Sequence, residues 1–349
     1  MSNSEEMKKK AFKAFNRLAT DEEGKDTITL DYGEGHRYAI FSDFHLGDGT
    51  GSDNFRQNET TFVKALQYYK SLPGNYSIIL LGDIEELHQA TLYKIFKRYR
   101  ETVYKEFLSE GIKIYRVFGN HDVDLSWIDP LSHERRRMSV EGIRLKKGNN
   151  VDILLTHGHQ AMESYEEDLH VVRVGTTLFR YIERILKIQS KSIFVESPSK
   201  KKDYIYDEWA RKEKKIIICG HTHCPIFAKH FIDYDWIVKK YREAKDKYNE
   251  IKETGTDEEI RNLKKRKEWL YYRIRRMNRQ KEVGIRLPNS PDQTLSTHFF
   301  NTGACLFRDA ISNIEIDEDT IRLVYWFNKD HQRDVFMEAE IPSILAQGI

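Results

Sequence analysis

The sequence predicts an α/β fold, and three observations carry that prediction. Five short apolar runs, at residues 38–41, 76–81, 114–118, 151–155 and 216–219, are each the length of a strand and stop at Asp, Asn or His. Stretches with apolar residues at helical spacing separate the early runs. The runs are apolar throughout rather than alternating, which is the pattern of strands buried on both faces. Ligands of such sheets gather beyond the carboxyl ends of the strands, where all five terminal motifs fall.

Residues 1–26 read as a short helix, with Met7, Ala11, Phe15 and Leu18 at helical spacing. This is an N-terminal helical appendage packed on the surface of a main domain, 27–349. The first buried strand, Tyr38-Ala39-Ile40-Phe41, ends in Ser42-Asp43-Phe44-His45-Leu46-Gly47. A loop rich in Gly and Asp leads to a helix carrying Phe62, Ala65, Leu66 and Tyr69, which Pro73-Gly74-Asn75 breaks. Strand 76–81 ends at Gly82-Asp83-Ile84-Glu85-Glu86. A helix over about 89–110 precedes strand 114–118, which ends at the turn Gly119-Asn120-His121-Asp122. Strand 151–155 ends at Thr156-His157-Gly158-His159, and strand 216–219 at Gly220-His221-Thr222-His223.

Residues 298–303 and 320–327 read as further strands, and 336–349 as a tail or short helix. Two regions interrupt the core. Residues 160–213 are helical in pattern and lie between two histidine motifs, so they are placed to overhang the site as a lid. Residues 235–281 read as an antiparallel helical hairpin of coiled-coil rhythm. Ile237, Tyr241, Ala244, Tyr248 and Ile251 form one arm, and Ile260, Leu263, Leu270, Ile274 and Met277 the other. Thr256-Asp257-Glu258-Glu259 is a capping box between them.

A chain of 349 residues can bury a substantial core as one large domain or two smaller ones. With 19 Tyr, 18 Phe and 5 Trp it is not a disordered chain, despite a charged fraction of 32%. Its three cysteines form no pair at metal-site spacing, and the odd count gives no disulfide framework, which suits a reducing compartment. The first ten residues lack the apolar core of a signal peptide. No stretch approaches the ~20 apolar residues of a membrane helix, and the chain reads as soluble and cytoplasmic.

The strand ends supply one consistent chemistry. Asp43 and His45, two apart, can face one cavity, as can His221 and His223. Asp83 has two oxygens and can bridge two ions. Asn120 offers a neutral carbonyl oxygen, and His157 a further nitrogen. Carboxylate, imidazole and carbonyl ligands on rigid elements suit divalent ions, and this set is enough for two sites sharing one carboxylate. Two metals ~3.5–4 Å apart clamp the attacking and leaving oxygens of an in-line phosphoryl displacement, with a hydroxide held between them as nucleophile. Any one of these histidines alone would more often be a core or surface residue. Arg56 offers its fork to a substrate phosphate, with a surface salt bridge as the alternative. His159 is a candidate substrate or supporting contact. Asp48 and Asp53 also suit turns.

The ordered set Asp43-x-His45, Gly82-Asp83-x-x-Glu86, Gly119-Asn120-His121-Asp122, His157-Gly158-His159 and Gly220-His221-x-His223 resembles the calcineurin-like metallophosphoesterase superfamily, over about 36–160 and 214–327. The resemblance implies a two-sheet β sandwich flanked by helices. It implies one ion on Asp43, His45, Asp83 and His223, and a second on Asp83, Asn120, His157 and His221. The metal is expected to be Mn, with Fe, Zn or Co as alternatives. His121 is then the group beside the leaving oxygen, paired with an acid at Glu86, where most members carry Asp. Residues 42–49, 53–56 and 82–87 are similar to bacterial relatives of UDP-2,3-diacylglucosamine diphosphatase, which carry a lid where 160–213 falls. That enzyme has Arg at the position of His121, a departure that brings the site nearer to phosphomonoesterases, phosphodiesterases and nucleases. A binding module that has lost catalysis is the other class, and the filled ligand positions count against it.

The near-zero net charge of +2 hides an asymmetry. Residues 239–281 hold 16 Lys/Arg against 8 Asp/Glu, a local +8 that leaves −6 for the rest. Trp269, Tyr271 and Tyr272 lie among the basic residues of the second arm. Such a face suits nucleic acid, and with it a nuclease or nucleic-acid phosphatase, or an anionic membrane surface. The bland alternative is a solvated coiled-coil face that makes a homodimer contact.

Overall fold

Every apolar run of the sequence forms a strand, and the strands fall into two sheets flanked by helices. The structure is a computed structural model that describes residues 3–51, 53–74, 76–126, 139–162, 165, 200–228, 230–231, 234–282, 298–307 and 310–346. These residues divide into two compact units, 1–228 with 296–349, and 229–295.

In the first unit, α1 (Asn3–Ala19) precedes β1 (Thr27–Asp31) and β2 (Arg37–Phe41). Then come α2 (Glu59–Ser71), β3 (Ser77–Leu81), α3 (Leu92–Tyr99), a π-helical stretch Arg100–Tyr104, α4 (Lys105–Phe107) and β4 (Lys113–Val117). β5 (Gly142–Lys147), β6 (Asn150–Thr156), α5 (Lys200–Glu213), β7 (Ile216–Cys219) and β8 (Ile226–Phe227) follow. The second unit holds β9 (His230–Phe231), α6 (Tyr234–Ile251) and α7 (Asp257–Glu282). The chain closes the first unit with β10 (Phe299–Asn301), β11 (Ala310–Asp317), β12 (Thr320–Phe327), β13 (Arg333–Glu340) and α8 (Ile341–Ala346).

One sheet runs β13-β12-β11-β2-β3-β4, with β2, β3 and β4 mutually parallel. Within the first unit the other runs β1-β5-β6-β7-β10-β8, with β6, β7 and β10 parallel. The parallel cores of both sheets therefore carry their motifs side by side at carboxyl ends. A parallel bridge between Val117 and Val140 joins the two sheets just before β5. β2 and β3 are buried on both faces. Ala39, Phe41, Ile78 and Leu80 pack into one cluster with Phe62, Ala65, Leu66 and Tyr69 of α2. Ile40, Ile79 and Leu81, which alternate with them, are fully buried too. Such burial on both faces is why these runs lack polar alternation.

The N-terminal helix, expected as an appendage, belongs to the first unit and buries Met7, Ala11, Ala14, Phe15 and Leu18. Arg17 binds Asp26 and donates to Glu141 at 2.6 Å, tying the helix to the strand pair beneath it. The segment 336–340, expected as tail or helix, is the end of edge strand β13, paired along β12. Its polar, alternating composition is that of a half-solvated edge. Of the lid-like stretch 160–213, residues 163–164 and 166–199 lie outside the described residues, and α5 is its last helix. In the second unit, α6 and α7 pack on each other, with Ile237, Ala244 and Leu270 buried. The capping box between them forms: the Thr256 N–H donates to Glu259 at 3.0 Å, and the Glu259 N–H to Thr256 Oγ1 at 3.3 Å. No described helix is long and apolar enough to cross a membrane.

Candidate metal centre

The strand ends turn sharply into the site. Asp43, His45, Asp83, His221 and His223 all have positive φ, between 48° and 65°. Left-handed backbone costs a non-glycine residue about 1–3 kcal/mol, so five such residues in one place mark a site held in shape by its surroundings. The loops after β2 and β3 hold each other: the Asp43 N–H donates to Gly82 O, those of Phe44 and His45 to Asp83 O, and that of Leu46 to Ile84 O. Gly119 is required by close approach, because a Cβ there would lie 2.6 Å from the Asp83 backbone nitrogen. Asp122 gathers the adjoining loops, accepting from the N–H groups of Gly119 at 2.6 Å and Ile84 at 2.8 Å.

Two groups of side chains result. Asp43, His45 and His223 offer atoms within 4.8 Å of one another, and so do Asp83, His157 and His221. His223 Nε2 lies 3.1 Å from Asp43 Oδ1 and 3.4 Å from His45 Nε2. Asp83 Oδ2 joins the groups, 3.1 Å from His157 Nε2 and 3.7 Å from His45 Nε2. A third group, His45, Glu86 and His121, adjoins the first.

The second contacts of the imidazoles aim them. His157 Nδ1 donates to the Leu81 carbonyl at 2.9 Å, which turns its Nε2 toward Asp83. Glu86 spans two rings, Oε2 accepting from His45 Nδ1 and Oε1 from His121 Nδ1, each at 2.8 Å. The bond on Nδ1 turns His45 Nε2 toward Asp83 and His223, the arrangement by which carboxylates orient metal-binding histidines. The long Glu arm is what reaches both rings. Asn301 supports the other side, donating to Gly220 O at 2.7 Å and Thr222 Oγ1 at 3.1 Å.

The residues fit divalent ions. Asn120 Oδ1 is a buried acceptor without a hydrogen-bond partner. Asp43 and Asp83 are buried carboxylates surrounded by imidazoles. Burial opposes their charge, yet His223 and His157 hold Asp43 below the usual carboxylate range, and His157 and His121 hold Asp83 well below it. Glu86 is depressed by His121 and His45 against the same burial penalty. In return, and again against burial, Glu86 and Asp83 raise His121 to about 10, and Asp83 and Asp43 raise His157 to about 9. The cluster thus draws positive charge onto His157 and His121, the charge that divalent cations would supply; metal binding at His157 would release its proton. Asp122 is pushed up to about 7 by burial and by the charges of Asp83 and Glu85.

All seven expected ligands, Asp43, His45, Asp83, Asn120, His157, His221 and His223, sit at these adjoining strand ends. His121 and Glu86 border them. His159 is buried among His157, Phe118 and Tyr165, with ring centroids 5.8 Å away in each case. Burial and its neighbour His157 lower it to about 3, so it is a neutral packed ring. Arg56 is exposed on the loop before α2 and donates to Gly49 O at 3.4 Å, apart from the three groups. Two neighbours of the site were not expected there. His88 stacks on His121 at 4.3 Å between centroids, and Lys202 of α5 reaches His221 Nε2 at 2.7 Å. His88 lies two residues past Glu86, a spacing that could have signalled it; Lys202 is hidden in a run of lysines.

Residues 36–225 match the family model of calcineurin-like phosphoesterases. No curated protein sequence matches the chain. Two solved structures are similar over 89% of its length. One is vacuolar protein sorting 29 from Cryptosporidium parvum, at 13% identity and TM-score 0.34, with all of that chain covered. The other is a cold-active protein tyrosine phosphatase, at 11% identity and TM-score 0.34, with 80% of that chain covered.

Proposed function

The chain belongs to the calcineurin-like phosphoesterase family, and on that premise we propose that it is a dinuclear metal-dependent enzyme hydrolysing a phosphate ester or pyrophosphate bond. The observation that carries this reading is the meeting of two ligand groups at one shared carboxylate, Asp83. Asp43, His45, Asp83 and His223 would hold one ion, and Asp83, Asn120, His157 and His221 the other. When bound, the pair supplies Lewis-acid activation of water and neutralises charge on the phosphoryl group. Mixed nitrogen and oxygen donors suit Mn, with Fe, Zn or Co also fitting.

The chain's own residues supply the rest. Hydrolysis breaks the bond from phosphorus to the leaving oxygen, forms one from water oxygen to phosphorus, and returns a proton to the leaving group. His121 carries that proton, and Glu86 fixes its ring and favours its charged form. His121 stands where the lipid diphosphatase carries Arg, so the reading favours an ester whose leaving oxygen needs a proton. Asp83→Ala should abolish Mn²⁺-dependent turnover across phosphomonoesters, phosphodiesters and nucleotide diphosphates; undiminished activity would sink the assignment.

A second reading concerns recruitment. Tyr271 is 50% exposed on the hairpin, and Lys267 lies 4.0 Å from the Tyr248 ring centre. An exposed aromatic in a segment of net +8 suits the backbone and bases of single-stranded nucleic acid, with a homodimer contact or an anionic membrane surface as the alternatives. Binding of single strands that weakens steeply with salt would support it; no binding at low salt would dismiss it. We place the protein in the cytoplasm on its cysteine usage.

A further inference from the structure

Lys202 stands on the first turn of α5, and α5 is fastened to the site at two points. Thr222, between the two histidines of its motif, donates to Asp203 Oδ1 at 3.1 Å. Tyr206 donates to the carbonyl of Gly158, next to His157, at 2.7 Å. Asp203, Tyr206 and Trp209 are fully buried. The helix is thus a fixed wall of the Asp83–His157–His221 group, and it directs Lys202 Nζ to within 2.7 Å of His221 Nε2.

That nitrogen has one lone pair. With a metal ion on it, the Lys202 ammonium loses its acceptor and faces a dication. An anion held between them restores the charge balance, and in this site the anion is the phosphoryl group. A transferring phosphoryl group presents three equatorial oxygens. In a phosphomonoester, or at the end of a diphosphate, all three are unesterified and share two negative charges. In a diester one of them bears a second carbon substituent and the charge falls to one.

We propose that Lys202 is a substrate-phosphate ligand that selects terminal phosphoryl groups, those with three free oxygens, over diesters. This rests on the metallophosphoesterase reading and adds the substrate class to it. A charge-assisted hydrogen bond to a buried phosphate oxygen changes relative rates by roughly 10- to 100-fold.

The test compares Lys202→Gln and Lys202→Arg with wild type, each loaded with Mn²⁺. The measurements are kcat/KM for p-nitrophenyl phosphate and for bis(p-nitrophenyl) phosphate, bound metal per chain, and the affinity for inorganic phosphate. In Lys202→Gln the monoester-to-diester preference should fall by about 10- to 100-fold, phosphate should bind more weakly in parallel, and metal content should stay unchanged. Lys202→Arg should recover most of the preference. Equal losses on both esters, or a change in metal content with no change in preference, would overturn the proposal. A wild-type protein that hydrolyses neither ester nor a nucleoside diphosphate refutes the phosphoesterase reading instead. Inorganic phosphate then decides on Lys202: weaker binding in Lys202→Gln upholds its role, and equal binding overturns it.

Discussion

Glu86→Gln removes one negative charge from between two imidazoles and keeps the shape of the side chain, while its single carbonyl oxygen can accept from only one of the two rings. Glu86 is buried and accepts from His121 and His45 at 2.8 Å each. A hydrogen bond to a charged group contributes about 1.5–3 kcal/mol, and ~1.4 kcal/mol corresponds to one pKa unit, so His121 should fall by about 1–2 units. Burial opposes its charge, and the Glu86 carboxylate favours it. The sign follows from which form works. The protonated ring donates to the leaving oxygen, so turnover is present below its pKa and lost as pH rises through it. The alkaline limb of kcat against pH should therefore move to lower pH by about 1–2 units in the variant. The assay is a pH–rate profile of Mn²⁺-loaded protein, with metal content measured alongside. An alkaline limb that stays in place while metal is retained would refute the pairing of Glu86 with a catalytic acid.

His121→Ala should lower turnover by about 10²–10⁴-fold, the usual range for a general acid, while metal content by mass spectrometry stays at the wild-type value. Gly119→Ala should reduce metal occupancy and cost about 1–3 kcal/mol of stability in urea unfolding, because the added methyl lands against Asp83. Phe15→Ala should destabilise the first unit by roughly 3–5 kcal/mol in the same assay. Phe15 is fully buried, 5.6 Å from Trp209 and 6.0 Å from Tyr206; a removable appendage would show no such loss.

The parallel strands and their terminal motifs were legible because burial on both faces leaves uninterrupted apolar runs, and because an Asp or His directly after such a run has few structural uses. The remaining strands obey other rules. β1, with the sequence Thr-Ile-Thr-Leu-Asp, is half-solvated. β11 is buried but polar: Ser312, Asn313 and Glu315 are fully enclosed. Glu315 there accepts from Tyr69 at 2.6 Å and Arg333 at 2.7 Å, partners that no local pattern reveals. The same distinction runs through the site. Ligand types and their order can be read along the chain, whereas the double grip of Glu86 depends on how the loops after β2 and β3 are fastened together. Lys202 lies in the run Lys200-Lys201-Lys202, where helix phase and the bond from Thr222 to Asp203 decide which lysine points inward.

The central claim is that Asp83 is shared by two ions. Anomalous diffraction from crystals of the full chain grown with Mn²⁺ tests it most directly. Two peaks should flank the Asp83 carboxylate, one reached by Asp43, His45 and His223, the other by Asn120, His157 and His221. A single peak, or peaks away from Asp83, would contradict the account.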